Sequence, residues 1–252
     1  MITFTHVDKI YGKNYALKDI SFEIKSGEFV CVIGTSGSGK TTLMRMINRM
    51  TEPTKGDILI DGVNIKELNA VHLRRKIGYV IQNIGLFPHM TVRENIMLVP
   101  KLLKWTSEQK KGVAESLLEK VELPADCLDR MPGSLSGGQQ QRVGVIRALA
   151  ADQSIILMDE PFGALDPITR EAIQKLVKKI QKEFKKTVVF VTHDMDEALK
   201  LADKILILNK GELVQFAAPS EILSRPAKDF VETLIGRERY DESLAECYFR
   251  RN

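Results

Sequence analysis

Apolar and polar residues alternate along the first 34 residues and again toward the carboxyl-terminal part of the chain. The stretches MITFTHVDKIYG (1–12) and ALKDISFEIKSGEFVCVIG (16–34) place an apolar residue at about every second position between glycines. This pattern predicts antiparallel, half-buried strands. They lead into the unbroken apolar run FVCVIG (29–34), which indicates a buried strand. KILILNKGELVQFA (204–217) has the same strand character.

Segments with helical spacing separate further strands. The predicted helices are TTLMRMINRM (41–50), TVRENIMLV (91–99), SEQKKGVAESLLEKV (107–121), QQQRVGVIRALAA (139–151), ITREAIQKLVKKIQKEF (168–184) and MDEALKLA (195–202). The further strands are DILIDG (57–62), SIILMDE (154–160) and TVVFVTHD (187–194). Strands that alternate with helices predict an α/β fold with a mainly parallel sheet wrapped by helices. The helix-rich residues 85–150 are expected to form an inserted helical subdomain.

The lysine-rich stretch KLVKKIQKEFKK (175–186) could be taken for a membrane-surface or nucleic-acid helix. Its apolar residues Leu176, Val177, Ile180 and Phe184 fall on one helical face, and its lysines fall around the other. A solvated helix packed on the sheet explains this pattern.

Composition adds mainly exclusions. The 252 residues carry a formal net charge of +4, which does not by itself argue for nucleic acid. Cys31, Cys127 and Cys247 are scattered, so neither a disulfide framework nor a zinc site is expected, and buried or idle thiols fit better. The first residues do not resemble a signal peptide, and no apolar window approaches the ~18–20 residues that cross a bilayer.

The loop GTSGSGKTT (34–42) fits the pattern G-x-x-x-x-G-K-[ST]. In this pattern backbone N–H groups surround phosphates at the start of a helix, a lysine reaches the β- and γ-phosphates, and a hydroxyl ligates Mg²⁺. Lys40 and Thr41 take the last two roles. The alternatives, a tight strand–helix turn or a dinucleotide loop, fit the context and the glycine spacing poorly. The predicted ATP-binding residues of the loop are Gly34, Thr35, Ser36, Gly37, Ser38, Gly39, Lys40, Thr41 and Thr42.

Two adjacent carboxylates follow the apolar strand SIILM. Asp159 is positioned to support Mg²⁺, and Glu160 is positioned to polarise an attacking water. Alone this is a weak pattern, because many buried strands end in acids. Together with the loop at Gly34 it indicates a nucleotide-hydrolysing site.

A second glycine-and-hydroxyl loop, SLSGGQQQR (134–142), has no lysine of its own. Within it, Leu135, Ser136, Gly137, Gly138 and Gln139 resemble the signature motif of the ATP-binding cassette (ABC) ATPases. In that family two ATPase domains dimerise head to tail, and each signature loop closes over the ATP held by the other copy. The resemblance therefore implies that Ser136 and the two glycine amides contact a partner's γ-phosphate. A plain helix N-cap at Ser136 is the alternative.

Further residues match family positions one at a time. Tyr11 resembles the aromatic residue that stacks on adenine, although an exposed strand tyrosine would look the same. Gln82 matches the Q-loop glutamine, which senses Mg²⁺ and joins the two lobes. Asp166 matches the D-loop at the dimer seam, and His193 matches the switch histidine that touches the γ-phosphate. The implied catalytic residues are Glu160, His193 and Gln82, and the implied Mg²⁺ ligands are Thr41, Gln82 and Asp159.

The resemblance implies a fold and a domain organisation. An ABC-type P-loop NTPase has a mainly parallel RecA-like core, an amino-terminal antiparallel β subdomain and an inserted helical subdomain. The ATPase domain would cover residues 1–238, with the core and β subdomain at 1–84 and 151–238 and the helical subdomain at 85–150. Residues 239–252 would form a tail that is too short for the CBS domains that follow the cassette in many similar proteins. Either the protein is naturally short or the sequence is truncated, so regulation by CBS domains is not implied. Thr35 replaces a frequent proline, and every catalytic position is intact.

Longer stretches resemble one group within the family. RRKIGYVIQNIGLFPHMTVRENI (74–96) and FVTHDMDEALKLADKI (190–205) are similar to the ATPases of importers for glycine betaine, carnitine or choline. The resemblance implies an ATP-dependent homodimer on the cytoplasmic face of the membrane. It also implies a permease docked near residues 82–105, and indirectly an extracytoplasmic substrate-binding protein or domain. ATP and Mg²⁺ are the expected cofactors, and nucleic acid is not an expected partner.

Other functions stay open at this point. An importer for amino acids or polyamines, an exporter, or a soluble ABC ATPase of translation or DNA repair would carry the same core motifs. The soluble ABC ATPases normally have two fused cassettes or a long coiled-coil insertion, which this chain lacks. The sequences FGALD (162–166) and HDMDEA (193–198) resemble those of importers and argue against an exporter. The signature motif argues against a kinase or a GTPase.

Overall fold

The computed structural model describes residues 1–82, 85–163 and 165–236. The strands are β1 (Ile2–Tyr11), β2 (Asn14–Ile24), β3 (Phe29–Gly34), β4 (Lys55–Ile60), β5 (Val63–Asn64), β6 (Ile77–Val80), β7 (Ile155–Asp159), β8 (Thr187–Val191), β9 (Lys204–Asn209) and β10 (Glu212–Ala217). The helices are α1 (Lys40–Ile47), α2 (Ala70–Arg75), α3 (Val92–Ile96), α4 (Leu98–Leu102), α5 (Ser107–Lys110), α6 (Val113–Lys120), α7 (Gly137–Arg147), α8 (Pro167–Phe184), α9 (Met195–Leu201), α10 (Pro219–Ser224) and α11 (Asp229–Ile235). The predicted helices over 91–99 and 107–121 are each divided in two, the second by a turn at Lys111 and Gly112.

The chain forms two compact units. Unit 1 consists of Met1–Ala70 with the described residues from Val189 onward, and unit 2 is Val71–Val188. The boundary falls inside β8, and β6, β7 and α8 belong to unit 2. These two units do not coincide with the predicted subdomains, whose boundaries at 84/85 and 150/151 remain a prediction.

Unit 1 contains an antiparallel sheet in the order β2-β1-β4-β5, as the alternation at the amino terminus predicts. Ile2 pairs with Ile24 on one side and with Ile60 on the other. The inward positions are apolar, and the rings of Phe4 and Phe22 stack with their centroids 4.5 Å apart. The period-2 pattern therefore marks the buried face of this sheet.

A second group of strands in unit 1 carries the glycine-rich loop. β3 runs parallel to β9, with Val30 beside Lys204 and Ile33 beside Ile207, and β9 turns into antiparallel β10. All six residues of β3 are buried. The loop segment 34–42 therefore begins at the carboxyl end of a buried strand, and its last three residues form the start of α1.

In unit 2, β6 runs parallel to β7, with Ile77 beside Ile155 and Val80 beside Met158. Helix α8 presents Leu176, Val177 and Ile180 to the core, so the prediction of a solvated amphipathic helix is confirmed. The Cys31 and Cys127 thiols are buried, as expected, and Cys247 lies outside the described residues. No helix in the described part of the chain is long and apolar enough to cross a bilayer.

Candidate functional site

The glycine-rich loop in unit 1 has the backbone shape that phosphate binding requires. Gly39 precedes α1 with φ +102°, and a Cβ atom there would lie 2.5 Å from the carbonyl oxygen of Ala16. Only glycine fits both the dihedral angle and the space. No side chain caps the start of α1, which leaves the positive end of the helix dipole to an anion.

Lys40 is buried in this loop. Its Nζ donates to the carbonyl oxygens of Gly34, at 2.8 Å, and Thr35, at 3.0 Å. These bonds draw the ammonium group over the loop, where a phosphate group would sit.

Ser38 supplies a second indication that the loop fits phosphate. Its side chain is 1% exposed, and its Oγ has no hydrogen-bond partner. A buried hydroxyl without a partner is costly, and a phosphate oxygen would satisfy it. The residues of the loop therefore fit a nucleotide phosphate chain.

Tyr11 ends β1 at the tip of the β1–β2 hairpin, also in unit 1. It is 52% exposed, and the Lys9 ammonium lies 4.9 Å from its ring centroid. An exposed aromatic ring can stack on a base, so the geometry is compatible with the predicted adenine contact. The exposed-tyrosine alternative describes the same geometry.

The predicted acids lie in unit 2 at the carboxyl end of β7. Asp159 is the last residue of the strand, and Glu160 follows it with φ +43°. A left-handed φ at a non-glycine residue is uncommon and often marks a functional turn. Because β6 is parallel to β7 and Val80 lies beside Met158, the exposed Gln82 follows β6 at the same edge.

The signature segment begins α7 in unit 2, and Ser136 is the N-cap of this helix. Its Oγ accepts from the Gln139 N–H at 3.3 Å, and Gln139 Oε1 accepts from the Ser136 N–H at 2.9 Å. Ser136 is thus both a formed helix cap and an exposed residue in the isolated chain. The spacing S-x-x-Q in the sequence carries this capping box.

The starts of α7 and α8 lie against each other. A Cβ atom on Gly138 would lie 2.6 Å from Cγ2 of Thr169, so glycine is needed for this approach. Asp166 is the N-cap of α8, and its Oδ1 accepts from the Thr169 N–H at 3.0 Å. Hydrogen bonds from Thr169 lower the pKa of the Asp166 carboxyl below its ordinary value. Unit 2 therefore brings the predicted signature and D-loop residues together.

His193 belongs to unit 1 and lies in the turn between β8 and α9. Its side chain is exposed, whereas Thr192 before it is buried. Asp194 caps α9 by accepting from the N–H groups of Asp196 and Glu197. The turn thus leaves the His193 side chain exposed at the end of a buried strand.

Two anchoring side chains in unit 2 lack a local sequence signal. Buried Asn95 accepts from the Phe87 N–H at 2.8 Å, and its Nδ2 donates to the carbonyl oxygens of Phe87, Met90 and Thr91. Arg147 donates to the carbonyl oxygen of Gly85 at 2.6 Å, and burial lowers the pKa of its guanidinium. These bonds fix the backbone at Gly85 and over residues 87–91.

The predicted metal ligands are hard oxygen donors: a threonine hydroxyl, an amide oxygen and a carboxylate. Mg²⁺ prefers such donors and completes its shell with water and substrate phosphates. Among the described residues, no cluster of three or more His, Cys, Asp or Glu side chains could hold a metal ion. The oxygen chemistry of the three predicted donors fits Mg²⁺.

Comparison with curated proteins identifies close relatives. The chain is 60% identical over 244 residues to the carnitine transport ATP-binding protein OpuCA of Listeria monocytogenes. It is 59% identical over 244 residues to the glycine betaine/carnitine/choline transport ATP-binding protein OpuCA of Bacillus subtilis. Each match covers 96% of this chain, and the chain spans 62% and 64% of the length of these relatives.

Comparison with solved structures gives the same fold. The dimeric, post-hydrolysis structure of the ATP-binding cassette MJ0796 bound to ADP and Pi matches with a TM-score of 0.75 and 39% identity. The match covers 87% of this chain and 99% of that one, and confirms the predicted cassette fold. The model of the ABC transporter family matches residues 17–163. With the phosphate-binding loop, the signature segment and these matches in agreement, the chain belongs to the ABC transporter family.

Proposed function

We propose that this chain is the ATP-hydrolysing subunit of an importer for a quaternary ammonium osmoprotectant: glycine betaine, carnitine or choline. The observation that carries the ATPase part is the phosphate-binding loop, with its uncapped helix start and the buried, unpartnered Ser38 hydroxyl. The choice of substrate class is supported by the names of the OpuCA relatives, which are 59–60% identical.

In this proposal the phosphate-binding loop of one copy holds ATP, and the signature segment of a second copy covers it. Lys40 leaves the carbonyl groups of its own loop to bind the β- and γ-phosphates, and Tyr11 stacks on the base. Ser136 and the amides of Gly137 and Gly138 contact the γ-phosphate from the other copy. The dimeric MJ0796 structure with bound ADP and Pi supports this arrangement.

Hydrolysis in this proposal depends on a carboxylate that takes a proton. Glu160 accepts a hydrogen bond from the attacking water and removes its proton as the new bond to the γ-phosphorus forms. The bond from that phosphorus to the bridging oxygen breaks in the same step, so that phosphate and ADP are the products. His193 contacts the γ-phosphate oxygens, where negative charge develops. Thr41, Gln82 and Asp159 would hold Mg²⁺, which neutralises phosphate charge when it is bound.

ATP can drive transport only if it binds the closed dimer more tightly than the open form. The proposed output of closure is a push on a membrane permease, so the chain would work as a peripheral subunit at the cytoplasmic face. The proposed docking region for the permease lies near residues 82–105. Within it, the Asn95 side chain is hydrogen-bonded to the backbone of the loop 87–91. Phe87 in this loop is 41% exposed and lies edge-on to His89, with ring centroids 6.0 Å apart. Aromatic residues, phenylalanine included, are enriched at protein interfaces, which supports this choice of docking region.

Uptake in cells tests the importer proposal. A strain that lacks the gene is expected to lose uptake of labelled glycine betaine, choline or carnitine at high osmolarity. Wild type should restore it and Phe87→Ser should not, although purified Phe87→Ser keeps its ATPase activity. Val63→Ser, a change at an equally exposed apolar residue, serves as the matched control and should restore uptake. Undiminished uptake of all three compounds in the deletion strain would contradict the substrate assignment and leave another importer or a non-transport ATPase as the better reading.

Replacing Ser136 by Arg tests whether the signature segment acts on a second copy. We expect ATP binding to stay within about twofold, because the phosphate-binding loop is untouched, and hydrolysis to fall by about 10²-fold or more, as for the loss of a transition-state contact. Loss of the helix cap lowers stability by about 1 kcal/mol, which thermal unfolding measures separately. Thr106→Arg removes the equivalent cap of α5 and should keep hydrolysis. Full hydrolysis by Ser136→Arg would refute the role of this loop on the second copy.

A further inference from the structure

The turn that carries His193 is held by a buried pair of side chains. Thr192 and Glu197 are 2% and 7% exposed, and Thr192 Oγ1 donates to Glu197 Oε2 at 2.6 Å. The same hydroxyl oxygen accepts from the Asp194 N–H at 3.0 Å. The Thr192 hydroxyl group therefore links the backbone N–H of Asp194, directly after His193, to the Glu197 carboxylate on α9.

The backbone directly before His193 is also held by a hydrogen bond. The Thr192 N–H donates to the carbonyl oxygen of Val32 in β3 at 3.2 Å. Val32 lies two residues before Gly34, where the phosphate-binding loop begins. The backbone on both sides of His193 is thus fixed within unit 1, and one attachment is to the strand that carries the loop.

This pair exceeds what the start of α9 requires. Asp194 already caps the helix by accepting from the N–H groups of Asp196, at 2.8 Å, and Glu197, at 3.3 Å. A buried carboxylate is costly unless hydrogen bonds compensate it, so its presence next to a completed cap indicates a further role. The residues restrained by the extra bond are 192–194, and His193 is the one among them whose side chain is exposed.

We propose that Thr192 and Glu197 are positioning residues for His193 in ATP hydrolysis. The pair restricts the backbone of the turn to one conformation, so that the imidazole is already positioned to contact the γ-phosphate. The inference rests on the proposed function, in which His193 contacts that phosphate. A misplacement of about 1 Å at a catalytic group can lower a rate by about 10²-fold, so a restraint of this kind has a measurable effect.

The test compares Thr192→Val, Thr192→Ser and His193→Gln in steady-state hydrolysis of ATP with Mg²⁺ by the purified chain. Valine has the shape of threonine without the hydroxyl, and serine keeps the hydroxyl. Thr192→Val is expected to lower kcat about 10–100-fold with KM for ATP nearly unchanged, because the phosphate-binding loop is intact. Thr192→Ser, which keeps the hydroxyl group, should retain a kcat within about threefold of the wild-type value. Thr187→Val, at a buried threonine at the other end of β8, controls for loss of stability and should keep kcat.

A double-mutant cycle separates positioning from general support of the fold. If Thr192 acts through His193, Thr192→Val has no further effect on kcat in the His193→Gln background. Multiplied losses in the double variant, an undiminished kcat in Thr192→Val, or no rescue by serine would each overturn the inference and leave the ATPase proposal standing. An undiminished kcat in His193→Gln would overturn the role of His193 and the inference with it.

Discussion

Glu160→Gln is expected to abolish ATP turnover and to leave a stable dimer when ATP and Mg²⁺ are present. Glutamine keeps the shape of the side chain and can still hold a water molecule, but it cannot take a proton. Loss of a general base lowers a rate by about 10²–10⁴-fold. Because ATP then persists between the two copies, light scattering should report twice the 28.4 kDa of the single chain. Phosphate release measures the loss of turnover.

Glu171→Gln is the matched control for this prediction. Glu171 is an exposed carboxylate on α8 that pairs with Lys175 at 2.8 Å, and the substitution makes the same chemical change away from β7. It should retain wild-type turnover and reversible dimerisation. Wild-type turnover in Glu160→Gln would eliminate Glu160 as the base. A monomer of Glu160→Gln at saturating ATP and Mg²⁺ would count against the closed sandwich.

Lys40→Ala is expected to weaken ATP binding by about 10–100-fold. The ammonium group now donates to the carbonyl oxygens of Gly34 and Thr35, and phosphate oxygens would take over as charge-assisted acceptors. Such bonds contribute about 1.5–3 kcal/mol, and about 1.4 kcal/mol corresponds to a tenfold change in Kd. Isothermal titration calorimetry with ATP and Mg²⁺ measures the change directly.

Arg45→Ala controls for the loss of a positive charge on the same helix. Arg45 is exposed on α1, one turn beyond the phosphate-binding loop, so its removal should leave Kd within about twofold. The thermal midpoint of Lys40→Ala should be compared with that of wild type, to separate lost binding from lost folding. An unchanged Kd in a folded Lys40→Ala variant would mean that this loop does not hold the phosphates.

The parts of the fold that follow from local periodicity are readable in the sequence. The alternation over 1–24 and the apolar run 29–34 correspond to β1, β2 and β3, because burial of one sheet face or of both imposes these patterns. The capping box at Ser136 is likewise local, since both partners lie within four residues. Helix ends are less readable: the apolar spacing over 107–121 continues across the turn that separates α5 from α6.

The anchors of the candidate site are not readable in the same way. Arg147 meets Gly85 across 62 positions, and Asn95 is bonded to a loop whose path the pattern does not specify. The bond between Thr192 and Glu197 spans only five residues, yet its role depends on the burial of both side chains, which the local sequence does not specify. Sequence motifs therefore locate the groups expected to touch ATP, whereas the groups that hold them in place emerge only from the folded chain.

The close approach of Gly138 to Thr169 brings the start of α7 into contact with the start of α8. Any side chain at position 138 would require the Thr169 methyl group to shift, and the amide of Thr169 is the group that Asp166 caps. The start of α7 and the cap of α8 are thus in direct contact within one copy of the chain. A substitution at Gly138 is therefore expected to disturb the predicted signature segment and the predicted D-loop together, although they are far apart in the sequence.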